Sequence, residues 1–263
     1  MAIITLTSDL GLRDNYVALV KAMVLSNCPE AQLVDICHEV EKFNIIQAAY
    51  IFGGAFHHFP ENSIHVLGMK APNNKTDRYL LIKYKKQWVL CPDNGVFTLF
   101  YDYADQAEIY ELKKELYPDS IFFMKDTLIR AACDMANGKP VKEMATATEE
   151  YLQLLNFQPT STPSSIIGRC LYMDSYGNVI TNISKQFFEQ IRRNRTFTIH
   201  LPGLRISEIA ASYDAVPEIS ALALFNTSGF LEIAINKGQA RQLLFPKNIN
   251  LHTDFNISVE FED

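Results

Sequence analysis

Apolar residues in the first part of the chain alternate between short unbroken runs and helical spacing. The run Ile3-Ile4-Thr5-Leu6 reads as a short buried strand, and residues 16–25 follow with apolar positions spaced for a helix. Cys28-Pro29-Glu30 ends that helix, and residues 32–37 read as a second strand. Residues 44–56, rich in Ala, Ile and aromatics, predict a crossover helix, and residues 63–68 a third strand. This strand–helix alternation predicts a mainly parallel sheet sandwiched by helices. A polar loop over 71–77 leads to strands at 79–84 and 87–91, joined as a hairpin about Lys85-Lys86. Pro92-Asp93-Asn94-Gly95 reads as a turn, since Asn and Gly tolerate positive φ. Helices are predicted over 96–101 and 126–137.

Beyond the Pro/Ser/Thr-rich stretch 158–165 the pattern changes to short runs at 166–173, 178–183, 196–201, 221–225, 230–235 and 256–261, separated by turn residues. That spacing suggests a small β-barrel or sandwich. The predicted organisation is an α/β domain over 1–157, a linker over 158–165 and an all-β domain over 166–263.

Composition narrows the function. A hydrophobic share of 48% with 21% charged residues fits a soluble globular chain. The net charge of -6 argues against nucleic acid as a partner, because phosphate binding needs a basic face; Arg192-Arg193-Asn194-Arg195 reads as a solvated loop edge. The five cysteines form no CxxC pair, which predicts reduced thiols and a cytoplasmic setting. The chain opens directly on a strand, so no signal peptide is expected, and no apolar run is long enough to span a membrane. No His/Cys/Asp cluster has metal-ligand spacing, so no metal is predicted.

Candidate chemistry sits first in Thr7-Ser8-Asp9-Leu10-Gly11-Leu12-Arg13-Asp14-Asn15-Tyr16, where a strand hands over to a helix. In an α/β sheet that edge faces a ligand crevice. Asp9 could accept two hydrogen bonds from a ribose diol and Asp14 could hold an ammonium; alternatively, either acid caps the helix. A second stretch, Asp174-Ser175-Tyr176-Gly177-Asn178, offers an aromatic plane and an amide suited to a flat heteroaromatic base. The same residues also suit an ordinary hairpin turn.

Asp9 to Tyr16, Val34-Asp35-Ile36-Cys37-His38, Phe59-Pro60 with Ile64-His65-Val66, Pro92-Asp93-Asn94-Gly95, Tyr176 to Ile183, and Ser228 to Ala234 occur in one order across nearly the whole chain. That series resembles the S-adenosylmethionine hydroxide adenosyltransferase family, related to the fluorinase and chlorinase. The resemblance implies an N-terminal α/β domain, a C-terminal barrel-like domain, and a homotrimer holding S-adenosylmethionine between neighbouring subunits. It implies that Asp9 accepts the ribose diol and that Asp14 lies near the methionine ammonium. It further places Asp174 on the methionine moiety, Asn178 on the adenine side and Tyr176 between them, with Tyr213 and Ser228 in the adenine pocket. Phe43 stands where the halogenating relatives have a tryptophan against the ligand. S-adenosylmethionine is then substrate or ligand, with no separate cofactor.

The departures concern the Asp-Arg-His triad with which family hydrolases are thought to activate water. Lys70 stands at the acid's place, Arg78 matches the arginine, and Phe123 replaces the histidine. Asp77 beside Arg78 is an alternative acid. The implied reaction is displacement at the ribose C5′, which needs a desolvated nucleophile aimed in line with the leaving sulfur. A unit charge pair near 4 Å is worth about 4 kcal/mol at an effective dielectric of ~20. Lys70 pointing inward would disfavour the sulfonium and favour an anion; pointing to solvent it would do neither. Two readings follow: cleavage of S-adenosylmethionine to adenosine and methionine, or transfer to another anion; and binding of the nucleoside without catalysis.

Overall fold

The computed structural model describes residues 2–70, 77–100, 106–154, 158–245 and 256–262. The chain forms two compact units, Met1–Leu154 and Leu155–Asp263.

The first unit runs β1 (Ile3–Ser8), α1 (Tyr16–Asn27), β2 (Gln32–Cys37), α2 (Ile45–Phe56), β3 (Ile64–Gly68), β4 (Tyr79–Tyr84), β5 (Gln87–Pro92) and a 3-10 turn (Phe97–Leu99). There follow β6 (Ala107–Leu112), a π-helical segment (Met124–Ile129) that runs into α3 (Arg130–Ala136), then α4 (Val141–Met144) and β7 (Ala145–Ala147). The sheet order is β2-β1-β3-β5-β4-β6-β7. Strands β2, β1, β3 and β5 are parallel, whereas β4, β6 and β7 pair antiparallel, so the sheet is mixed rather than mainly parallel. The cause lies in the hairpin: Lys85 and Lys86 both take positive φ, 46° and 62°, the two-residue turn that reverses a strand beside its predecessor. β6 and then β7 add to the β4 side of that hairpin.

Side chains alternate across this sheet. Ile4, Leu6, Val66, Leu81 and Leu90 face one cluster with Val20 and Val24 of α1 and Ala131 and Ala132 of α3. Leu67, Leu80, Ile82, Val89 and Cys91 face another with Ala48, Phe52 and Phe56 of α2. Both faces are thus covered by helices, as expected of strands that read as continuous apolar runs. His65 of β3 is fully buried, bonded from Nδ1 to Thr5 Oγ1 and from Nε2 to Gln87 Oε1, both at 2.7 Å. Burial pulls its pKa down to about 4, the Gln87 bond opposing.

The second unit runs β8 (Thr160–Thr162), β9 (Ser165–Met173), β10 (Val179–Ser184), α5 (Lys185–Arg192), β11 (Thr196–Leu201), β12 (Leu204–Ile206), a 3-10 turn (Tyr213–Ala215), β13 (Ala221–Phe225), β14 (Phe230–Ile235), α6 (Ala240–Leu244) and β15 (Asn256–Glu262). Its antiparallel sheet runs β12-β11-β15-β9-β10-β14-β13. Ile209, just past β12, bridges to Ala223 of β13, so the two edges approach and the sheet is nearly barrel-shaped. Ile166, Val179, Phe188, Ile199, Ile233 and Val259 fill its interior.

Three further expectations differ from this picture. The stretch 158–165 is not a free linker: Thr160–Thr162 pairs with β9, because Thr and Ser suit an exposed edge strand as well as a loop. The second unit is not all-β, since α5 interrupts it. That helix is polar but for Phe187, Phe188 and Ile191, and is capped by Ser184 Oγ accepting from Phe187 N at 3.1 Å. The helix expected over 96–101 is only a 3-10 turn; Tyr101, like the polar loop at 71–76, lies outside the described residues.

Candidate functional site

Parallel pairing brings several strand ends to one edge of the first sheet. Thr7 of β1 is in register with Cys37, and Ser8 with Gly68. The residues just past them, Asp9, His38 and Met69-Lys70, therefore share the carboxyl edge where the two neighbours of β1 diverge.

Asp9 is set in a stitched turn. Ser8 Oγ bonds His38 Nδ1 at 2.7 Å, and His38 Nε2 lies 3.2 Å from Asp35 Oδ1. Gly11, at φ +74, donates its N–H to His38 O at 2.6 Å. Asp9 Oδ2 accepts from Phe43 N at 3.0 Å, and Lys42 Nζ donates to Asp9 O. Asp9 Oδ1 has no hydrogen-bond partner among the described residues, so one face of the carboxylate remains available. Phe43 holds φ +62, unusual for a bulky residue, immediately before Asn44, whose Oδ1 caps α2 by accepting from Gln47 N at 3.0 Å. Its ring is 53% exposed beside the acid. Strain of this kind persists only where the surroundings enforce it, and it gathers at binding sites. Asp14 is exposed, and no side chain caps α1, whose N-cap is Asn15. The helix-capping alternative for both acids is therefore not what the structure shows.

The residues expected at the triad positions meet in part. Lys70 Nζ lies 3.2 Å from Asp119 Oδ1, 3.9 Å from Asp77 Oδ1 and 5.1 Å from the centre of the Phe123 ring. Phe123 stacks on Tyr79 at 5.8 Å, and the Tyr79 hydroxyl donates to Asp119. Burial pushes the Asp119 carboxyl up, but the Tyr79 and Lys70 hydrogen bonds more than reverse this and hold it below the usual range. Burial and the neighbouring Asp119 push the Tyr79 phenol up. Lys70 is thus neither aimed alone into a crevice nor free in solvent; its charge is spent on two carboxylates. Arg78 is occupied elsewhere. Its Nε is 2.9 Å from Glu111 Oε2, its Nη1 3.6 Å from Asp93 Oδ2, and its Nη2 donates to Glu150 O at 2.7 Å. Asp93, buried in the turn after β5, also accepts from Leu152 N at 2.8 Å. Asn94 Nδ2 donates to Met69 O at 3.0 Å, which holds the strand end carrying Lys70.

In the second unit Asp174 and Asn178 join in one turn. Asp174 Oδ1 accepts from Tyr176 N at 3.0 Å and from Asn178 N at 2.8 Å, and Oδ2 accepts from Asn178 Nδ2 at 3.0 Å. Gly177 takes φ +78, as a turn of this shape requires. Tyr176 is 75% exposed, its ring presented outward. Tyr213 reaches the same neighbourhood: its hydroxyl donates to Glu232 Oε1 at 2.8 Å. Ser228 lies at the tip of the β13–β14 hairpin, its N–H donating to Asn226 Oδ1, and Asn226 Nδ2 in turn donates to Glu232 Oε2 at 3.2 Å.

Glu232 and Asp119 were not among the residues singled out from the sequence. Glu232 left a signal, an acid inside the apolar run Phe230-Leu231-Glu232-Ile233-Ala234-Ile235, which needs partners if buried. Asp119 left none, since its contact with Lys70 spans 49 positions. Among the described residues, no group of three His, Cys, Asp or Glu could hold a metal ion, and no helix is long and apolar enough to cross a membrane.

Residues 4–145 match the sequence profile of the SAM hydroxide adenosyltransferase N-terminal domain, and residues 168–247 that of its C-terminal domain. The (R)-S-adenosyl-L-methionine hydrolase of Thermus thermophilus is 28% identical, over 90% of this chain and 93% of its own. The fluorinase of Nocardia brasiliensis is 24% identical over 98% and 97% of the two chains. The crystal structure of an uncharacterized conserved protein from Thermotoga maritima superposes with a TM-score of 0.83 at 26% identity, covering 98% of this chain and 99% of that one.

Proposed function

The chain belongs to the SAM hydroxide adenosyltransferase family, and on that footing we propose that it binds S-adenosylmethionine and transfers the adenosyl group to water, releasing adenosine and methionine. The observation that carries this reading is Asp9: a carboxylate fixed at the strand edge by Phe43 N, with Oδ1 left for a ribose hydroxyl. Asp14 and Asp174 would serve the methionine end, and Tyr176, Asn178, Tyr213 and Ser228 the nucleobase, in a homotrimer with ligand between neighbouring subunits. In the reaction a water oxygen bonds to C5′ as the C5′–S bond breaks, its electron pair leaving with methionine sulfur, and the water proton passes to a carboxylate or to bulk water. Lys70 does not oppose the sulfonium, because Asp119 and Asp77 outnumber its charge.

A second reading, binding without turnover, is favoured by a specific observation. Arg78 is tied to Glu111 and Asp93, and Phe123 offers no proton acceptor, so neither stands ready to prime an attacking water. Transfer to a different anionic nucleophile is a variant of the first reading.

The experiment is incubation of the purified protein with S-adenosylmethionine, following adenosine and methionine by chromatography, with calorimetry of binding alongside. Turnover in plain buffer supports hydrolysis. Product only with added halide or carboxylate supports the variant. Binding without product supports the second reading, and absence of binding to adenosine or S-adenosylmethionine overturns both.

A further inference from the structure

Two of the five cysteines meet inside the first unit. Cys28 and Cys133 lie 105 positions apart, yet Cys28 Sγ donates to Cys133 Sγ at 2.9 Å, and both side chains are buried. Cys28 is the C-cap of α1, its N–H donating to Val24 O, and Cys133 sits within α3. The two sulfurs need approach by only roughly 0.9 Å to reach the bond length of a disulfide.

A buried cysteine ordinarily serves as a small apolar filler. Here the surroundings go further. Helix α1 runs beside the π-helical segment and α3 in the same direction. Tyr16, at the start of α1, meets Phe122 edge-on with ring centres 5.6 Å apart. At the far end Asn137 Nδ2 donates to Asn27 O at 2.9 Å, and Asn137 N donates to Cys133 O at 3.0 Å. The cysteines adjoin that second fastening. The backbone on both sides is already held, so a covalent link there asks little movement of the fold.

We propose that Cys28 and Cys133 are an oxidisable pair whose disulfide braces α1 against α3. Two S–H bonds break and one S–S bond forms. The two protons and two electrons pass to a peroxide, whose O–O bond breaks to give two waters, or to a small disulfide, which leaves as two thiols. Cys28 is the sulfur placed to meet the oxidant: it ends a helix beside exposed Pro29 and Glu30, and fraying of that end uncovers it. Burial and the adjoining Cys28 push the Cys133 thiol up, which makes it the resolving partner rather than the first to react. The long separation in sequence strengthens the brace, since closing a long loop removes more freedom from the unfolded chain. Asp14 precedes α1 and Phe123 precedes the π-helical segment, so the link fastens the support of both from its far end.

The test uses the full chain. It is treated with hydrogen peroxide in the folded state and, separately, refolded from denaturant in a buffer of oxidised and reduced glutathione. Free thiols are then alkylated and the peptides identified by mass spectrometry. In either arm the expected product is a cross-linked peptide joining Cys28 to Cys133 that dithiothreitol cleaves. The linked protein should melt roughly 5–15 °C higher, and reduction should remove the gain. Cys133→Ala should lose both the cross-link and the oxidant-dependent rise in Tm, whereas Cys37→Ala should keep both. Absence of the Cys28–Cys133 peptide from both arms overturns the inference, as does a cross-link formed chiefly by other cysteines. A linked protein with an unchanged or lowered Tm overturns the brace.

Discussion

Lys70 Nζ sits 5.1 Å from the centre of the Phe123 ring, so the two residues that the sequence expectation set at the triad's acid and histidine places contact each other. A cation over an aromatic face is attracted by the ring, and Asp119 completes the arrangement by accepting from Lys70 at 3.2 Å. Lys70, Phe123, Tyr79 and Asp119 thus form one connected cluster.

If the missing proton acceptors limit turnover, restoring both should raise it. Lys70→Asp with Phe123→His is expected to increase adenosine formation from S-adenosylmethionine at least tenfold over the parent, within the range that a positioned acid or base contributes. Each single change should give less. Chromatography of the product at matched enzyme concentration decides; a double variant no faster than the parent refutes the premise.

Asp9→Ala should weaken adenosine binding by roughly 1.5–3 kcal/mol, about 10- to 150-fold in Kd, the worth of a hydrogen bond to a charged group. The turn is also held by Ser8, His38 and Gly11, so circular dichroism should be unaltered. Unchanged affinity would remove Asp9 from the site.

His65 gives the fold a pH dependence of definite sign. Its pKa in the native state is about 4 against 6.5 ordinarily, so below pH 6.5 the unfolded chain takes up a proton that the native state refuses. The contribution is whole above pH 6.5 and drains as pH falls toward 4, by about 3 kcal/mol in all. Urea unfolding across that window should show the decline, and His65→Gln should flatten it. Equal slopes in the two proteins would show that His65 is not its source.

Gly68→Ala should destabilise the first unit by about 1–3 kcal/mol. A Cβ there would lie 2.9 Å from Met124 Cε and nearer still to its Sδ and Cγ. Met124 opens the π-helical segment next to Phe123, so repacking it should disturb the Lys70 cluster too. A variant with the parent's Tm would mean that the methionine yields freely.

The strands of this fold were legible where apolar runs were continuous: β2, β11, β13 and β14 stand at their expected residues. β6 escaped because Ala-Glu-Ile-Tyr-Glu-Leu mixes charge into an edge region, and α5 because a mostly polar helix buries little beyond Phe188. In the candidate site, motif position drew attention to Asp9, Asp174 and Asn178, while the bonds that fix each of them came only with the structure. Arg78 shows the limit. Its residue type matched, but Glu111 and Asp93, distant in sequence, decide where its guanidinium points. Buried acids such as Glu232 organise neighbours that sequence presents as separate turns.

Asp9 hangs from the end of β1, whereas Lys70, Tyr79, Asp119 and Phe123 belong to segments that follow β3, open β4 and lead into the π-helical turn. On the proposed function, the foothold for a sugar and the surroundings of an incoming reagent are carried on separate pieces of backbone. Laboratory redesign of the acceptor would then begin from those later segments without touching Asp9.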